Sequence, residues 1–293
     1  MCRHVLRCGA SGGMKPGGEE KMKRSYNGID YFLLNPTGNI TILVVSIVSP
    51  CDQPGVACML MKHEPECEQV GFIYDTKGAD TGLRMAGGEF CGNATMSAAA
   101  FFCYISGISA EHTVSVSVEV AGCDEPVLVD ITKKKDAEGR FIYKGSVQMP
   151  EHNSLTQHEL IYKERTYDLP VVDMGGILHI IATGPLDMSD GEAEEAIRKW
   201  CKDLGAGALG IMQVQPVSAD TMDLRPLVYV RTPESCYWES SCASGTTAAG
   251  IYLAKKGAEV PVLHFREPAG ELTVTEQEGR MVLGGTVEIV MMK

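Results

Sequence analysis

Along most of this chain the apolar residues come in short runs or at every second position, the spacing of strands, and seldom at the interval of a helix. "TVSVSVEV" alternates strictly, which sets its valines on one face of a half-buried strand. "NITILVVSIV", directly after the turn sequence "NPTG", reads as a strand, and "EPVLVDI" and "FIYKGSVQM" complete a first series. A second series runs through "YDLPVVDM", "LHIIATG", "GIMQVQPV", "RPLVYVR", "VPVLHF", "ELTVT" and "GRMVLGGTVEIVM". Helical spacing is clearest in "SDGEAEEAIRKWCKDLG". There Ser189 and Glu192 form a capping box, and Ala193, Ala196, Ile197, Trp200 and Leu204 fall on one face. Lys199 and Lys202 stand near its negative end and Gly205 suits the position just past it.

Two further segments predict helices of another kind. "EFCGNATMSAAAF" and "SSCASGTTAAGIY" each carry one cysteine at the mouth of a run of small residues. Setting Cys91 on Cys242 pairs Thr95 with Thr246, Ala98 with Ala249 and Phe101 with Tyr252, the register of two copies of one unit. A helix small or apolar all round is a buried helix that a sheet can approach on every side. Strands, one such helix and more strands, twice over, predict a mixed α/β (α+β) chain of two domains, each a strongly bent sheet around a central helix. The boundaries read as a disordered lead-in over 1–23, a first domain over 24–150 and a second over 151–280.

Composition narrows the class. At 293 residues the chain suits two modest domains or one large one, and 44% apolar with 22% charged residues is ordinary for a globular protein. A net charge of −12, without a basic stripe, disfavours nucleic acid as a partner. No window approaches the length of apolar sequence that crosses a membrane. The first residues lack the apolar core of a signal peptide, so the expected location is the cytoplasm, and Met22 is a candidate natural start. Eleven cysteines, an odd number without an export signal, read as reduced thiols. None forms a C-x-x-C pair, and Cys58, His63 and Cys67 match no standard zinc spacing, so no metal site is expected. Two other motifs are decoys. "GASGG" lacks the strand and helix of a nucleophile elbow, and "GAGALG" follows a helix where a dinucleotide turn must follow a strand.

What remains is the cysteine pair. A thiol at a helix start lies beside unpaired backbone N–H groups and the positive end of the helix dipole, which lower its pKa from about 8.5 towards neutrality. The same N–H groups can hold a carboxylate. If the two helix starts face each other across an interdomain cleft, an amino-acid carboxylate fits between them with its Cα between the sulfurs. One thiolate then takes the Cα proton and the opposite thiol returns one to the other face, inverting the centre. Neither a pyridoxal lysine nor a metal is needed. The competing reading is that free cysteines fill cores, as expected for Cys103, Cys123 and Cys201, and spacing alone leaves both open for Cys91 and Cys242.

"EFCGNATMSAAA" and "WESSCASGTTAAG" resemble the two cysteine motifs of the diaminopimelate epimerase superfamily of cofactor-independent amino-acid racemases. With "NPTGNITILV", "CEQVGF" and "RPLVYV" in the same order, the likeness is closer to the histidine racemases that feed staphylopine-type metallophore synthesis, and it runs from about Tyr26 to the C-terminus. The resemblance implies two pseudo-symmetric domains with the active site in the cleft between them, and a last strand, 281–293, returning to the first domain. It implies Cys91 and Cys242 as the catalytic bases, and Gly92, Asn93, Ser244, Gly245 and Thr246 as a carboxylate cradle made by backbone N–H groups and side chains. Asn39 corresponds to a substrate-contacting asparagine of the superfamily. Glu68 matches an acidic residue of the histidine-racemase branch, suited to an imidazole or ammonium. Glu239 is the stronger acidic candidate on spacing, and His179 sits where the epimerases carry a histidine close to the thiols.

The departures bear on substrate. No arginine stands in "RTPESCYWESSC" at the spacing that holds a distal carboxylate in diaminopimelate epimerases, and "GGILH" does not reproduce their Gly-Asn-Pro-His. "CASG" adds a methyl at Ala243 beside the cradle. The expected activity is inversion of L-histidine to D-histidine. Diaminopimelate epimerase or a broad racemase is the rival enzyme, and a non-catalytic thiol or metal-binding module the rival of another class. The expected partner is a small amino acid; the assembly, a homodimer included, is not decided by the sequence.

Overall fold

The computed structural model describes residues 22–136, 139–232, 234–258 and 260–290. Most of the lead-in expected over 1–23, and the last three residues of the strand expected over 281–293, lie outside these. The first half contains β1 (Arg24–Tyr26), β2 (Ile29–Pro36), β3 (Thr41–Val44), α1 (Gln53–His63), β4 (Gln69–Tyr74), β5 (Thr81–Met85), α2 (Gly92–Ile105), β6 (Val114–Val120), β7 (Val127–Lys135) and β8 (Phe141–Gln148). The second contains β9 (Ser154–Tyr162), β10 (Arg165–Asp173), β11 (Leu178–Ala182), α3 (Asp190–Asp203), β12 (Ala208–Pro216), β13 (Thr221–Val230), β14 (Ser235–Trp238), α4 (Ala243–Lys255), β15 (Leu263–Glu267), β16 (Gly270–Gln277) and β17 (Arg280–Ile289).

The pairing repeats between the halves. Antiparallel β2–β3 is followed by parallel β3–β4 across α1, antiparallel β4–β5 and parallel β5–β6 across α2. Antiparallel β10–β11 is followed in the same way by parallel β11–β12 across α3, antiparallel β12–β13 and parallel β13–β15 across α4. Parallel neighbours need such crossover helices, so each cysteine helix is built in by the same local topology. The result is the mixed α+β, pseudo-symmetric architecture that the two cysteine motifs imply. β17 pairs with β16 of the second half and with β8 and β2 of the first, at Val287 opposite both Tyr143 and Pro36.

The small-residue helices are buried as their sequences require. Gly92 to Phe101 and Cys103 are all buried in α2, and in α4 Ala243, Gly245–Ile251 are. Both helices share one apolar core with the inward valines and leucines of the sheets. The capping box at Ser189 and Glu192 is present, and the α3 face packs around Trp200 in a second cluster. Gly205, at φ +66°, takes the left-handed position after that helix. A third cluster lies under α1. The apolar pattern does not reveal α1, because only Gln53, Ala57 and Leu60 of it are buried. No helix among the described residues is long and apolar enough to cross a membrane.

One interlock sets the site. The β2–β3 turn passes through Thr37 (φ +51°) and Gly38 (φ +92°) and docks on the β15–β16 turn of the other half. A Cβ on Gly38 would stand 2.0 Å from that of Ala269, so only glycine fits this contact. Asn39, next in sequence, is thereby carried to the start of α4.

Candidate active site

Cys91 and Cys242 are the N-cap residues of α2 and α4, both in extended backbone conformation. The first intrahelical bonds run from Thr95 N–H to the Cys91 carbonyl and from Thr246 N–H to the Cys242 carbonyl. The N–H groups of residues 92–94 and 243–245 therefore have no acceptor in the helix ladder and open toward the cysteine ends. The two ends abut, one from each half: a Cβ on Gly92 would lie 3.2 Å from Ala243 Cβ and 3.0 Å from Met149 Sδ. The methyl of Ala243 thus fills the seam between the helices.

Hydrogen bonds bind the surrounding polar residues into two groups, one on each side of the cysteines. The Cys91 thiol donates to Gln69 Oε1 at 3.1 Å, Gln69 Nε2 donates to Thr41 Oγ1 at 2.7 Å, and Thr41 donates to the Asn39 carbonyl at 3.1 Å. Asn39 Nδ2 donates to Glu68 Oε2 and to the Ser241 carbonyl, both at 3.0 Å. The buried Oδ1 atoms of Asn39 and Asn93 have no partner among the described residues. On the opposite side, Ser244 Oγ lies 3.8 Å from Cys242 Sγ and 3.0 Å from His179 Nε2. His179 is fully buried against Gly210, and burial lowers its pKa to about 3, so the ring is neutral. Thr246 differs from its expected place in the cradle. Its N–H is bonded to the Cys242 carbonyl and its hydroxyl donates to Glu267, so both of its donors are taken within the fold.

The thiols correct a second expectation. Burial pushes Cys91 up to about 12, although the N–H groups of Ala94 and Asn93 pull the other way and Glu89 and Glu239 add to the rise. Cys242 is raised too, well above its ordinary value, from burial first and then from the carboxylates of Glu239 and Glu267, against the Gly245 N–H. Desolvation of a thiolate in the packed seam outweighs the helix N-terminus, which the motif alone does not show. One carboxyl, Glu239, raises both thiols.

Glu239 is itself raised to about 7, by burial first and by the neighbouring Glu68, with a hydrogen bond to Cys242 opposing. Desolvation also raises Glu68, whose carboxyl leans on Ser240 at the solvent edge. A carboxyl raised in the fold keeps a proton that the unfolded chain releases near its ordinary 4.5, so it destabilises the protein as pH climbs from there through about 7. Glu239→Gln should therefore gain stability over the parent between about pH 5 and about pH 8, by on the order of 2 kcal/mol. Thermal unfolding of both proteins across that range checks this; a difference independent of pH would count against the raised carboxyl.

With this geometry in view, the sequence profile of the histidine racemase CntK N-terminal domain matches residues 28–292. The chain belongs to this family. A histidine racemase of Fusobacterium nucleatum is 33% identical over 266 residues, covering 89% of this chain and 95% of that protein. One from Staphylococcus aureus is 30% identical, covering 85% and 89%. Among solved structures, a PhzF-family phenazine biosynthesis protein of Bacillus anthracis superposes with a TM-score of 0.59 at 13% identity, covering 89% of this chain and 97% of that one. A hydroxyproline epimerase from Agrobacterium vitis gives 0.59 at 13%, covering 90% and 89%. These two show the fold, which is diaminopimelate-epimerase-like, and the family makes the chain an isomerase of the racemase kind.

In this family member, Asn39, Glu68, Gly92, Asn93, His179, Glu239, Ser244 and Gly245 all fall around the abutting helix ends. Two neighbours escaped the reading of the motifs. Gln69 stands beside Glu68 in "CEQVGF" and turns inward because strand residues alternate. Glu267 closes "VLHFRE", where Leu263 and Phe265 already mark the inward parity; a carboxylate on that face was the available signal.

Proposed function

We propose that this racemase interconverts L- and D-histidine with Cys91 and Cys242 as the two acid–base groups, without pyridoxal phosphate or metal. The observation that supports it is the meeting of two N-cap cysteines, one from each half, at abutting helix ends with N–H groups to spare. The substrate carboxylate lies across those N–H groups, which stabilise the negative charge that grows on it as the Cα proton leaves. A thiolate in this dry seam is a stronger base than one in water, which suits a weakly acidic C–H. The opposite thiol protonates the other face, and the roles exchange for the reverse reaction.

The acidic edge favours histidine. Glu68 and Glu239 present carboxyls that accept an imidazole N–H or an ammonium. Among the described residues, no arginine or lysine joins the hydrogen bonds around the two cysteines, where the second carboxylate of diaminopimelate would require one. In D2O under reducing conditions, L-histidine should lose its Cα hydrogen signal and its optical rotation together. Lysine, ornithine and meso-diaminopimelate should do so far more slowly. Absence of exchange with histidine, or faster turnover of meso-diaminopimelate, would overturn the assignment. Stoichiometric zinc without racemisation of any amino acid would favour a binding module.

A further inference from the structure

Beneath the start of α4 lies a carboxylate that, among the described residues, has no buried counterpart on the equivalent strand beside α2. Glu267, at the end of β15, is 7% exposed. Its Oε2 accepts the backbone N–H of Cys242 at 2.7 Å and its Oε1 accepts the Thr246 hydroxyl. In the first half the strand that follows the cysteine helix, β6, turns only Val116, Val118 and Val120 inward. Among the described residues, the strand that follows the cysteine helix therefore carries a buried carboxylate in the second half and none in the first.

We propose that Glu267 is a positioning residue that makes the two catalytic thiols unequal, holding Cys242 in place and keeping it protonated while Cys91 is the thiol that ionises first. This rests on the two-cysteine reading above. The contacts carry the argument. A carboxylate bonded to the N-cap N–H takes up one of the donors that would otherwise favour a thiolate there, and its own charge opposes a second anion on the same residue. The titratable groups that face Glu267 are Cys242 and Glu239, with Glu68 behind Glu239; Thr246 and Ser241 are its neutral neighbours. Burial raises Glu267 to about 7, the Thr246 hydroxyl and Cys242 N–H opposing, so in the alkaline range where thiols titrate it carries its charge. Cys91 has the neutral Gln69 as its acceptor instead, and of the carboxylates that act on it, Glu89 and Glu239, the second acts on Cys242 as well.

The test reads the thiols directly. The intact protein is alkylated with iodoacetamide from about neutral pH upward. The modification of Cys91 and Cys242 is followed separately by peptide mass spectrometry, in the parent and in Glu267→Gln. The glutamine keeps an acceptor for the Cys242 N–H and a partner for Thr246 but no charge. The expected result is a Cys242 profile moved down by about one pH unit or more, with the Cys91 profile moved far less. In the parent, Cys91 should alkylate at lower pH than Cys242. If far-UV circular dichroism shows that E267Q does not fold, Glu267→Met, apolar and of similar length, is used in its place. A folded variant of either kind with the parental Cys242 profile, or parental thiols that ionise together, would overturn the proposal. Failure of histidine racemisation would remove the substrate assignment without altering this readout.

Discussion

Replacing Cys91 with serine should abolish histidine racemisation, with kcat/KM falling by about a thousandfold or more, and Cys242→Ser should do the same. In the proposed mechanism each face of Cα has a single acid–base group, so neither thiol substitutes for the other. Serine is nearly isosteric with cysteine, and both positions are N-caps, where serine is a preferred residue. The helices should therefore persist and the loss should fall on proton transfer alone. The double variant should be little worse than either single one, because residues acting as a unit are not additive. Circular dichroism with the racemisation assay separates folding from chemistry. More than about a tenth of parental activity in either single variant would remove the two-base mechanism.

Trp200→Ala carries the largest expected loss of stability. Trp200 is fully buried, its Nε1–H donates to the Ile161 carbonyl at 3.1 Å, and its ring meets Tyr167 edge-on at 5.5 Å. It anchors α3 to β9–β13 in a cluster separate from the core shared by the cysteine helices. Truncation leaves a large cavity and an unpaired carbonyl, together about 3–5 kcal/mol. Urea unfolding measures it; a loss under about 1 kcal/mol would mean that α3 repacks over the gap. Because α3 contributes no residue to the hydrogen-bonded groups around the thiols, the folded variant should keep its kcat/KM for histidine.

The legible parts of this protein are those encoded within a few residues. Alternation in "TVSVSVEV" places β6, the Ser189–Glu192 box starts α3, and small residues after a cysteine predict α2 and α4 with their N-caps, because spacing and capping are local physics. That Cys91 and Cys242 occupy equivalent helix starts is legible for the same reason, as one local pattern written twice. β9, whose residues are mostly exposed, and α1, with a weak apolar face, carry too little pattern to be read.

The electrostatics of the site belong to the tertiary structure. Whether a helix N-terminus lowers a thiol pKa depends on how dry its surroundings are, and packing of the two halves leaves Cys91 half-buried and Cys242 buried. Gln69 reaches Cys91 across 22 positions of sequence, Glu267 reaches the Cys242 N–H across 25, and Asn39 reaches the Ser241 carbonyl across 202. Those contacts exist only once the sheets close and the Thr37–Gly38 turn docks on Ala269. Local sequence puts a thiol at the start of each small-residue helix. The closure of the two halves decided how tightly each holds its proton, because desolvation and neighbouring charge act through space and not along the chain.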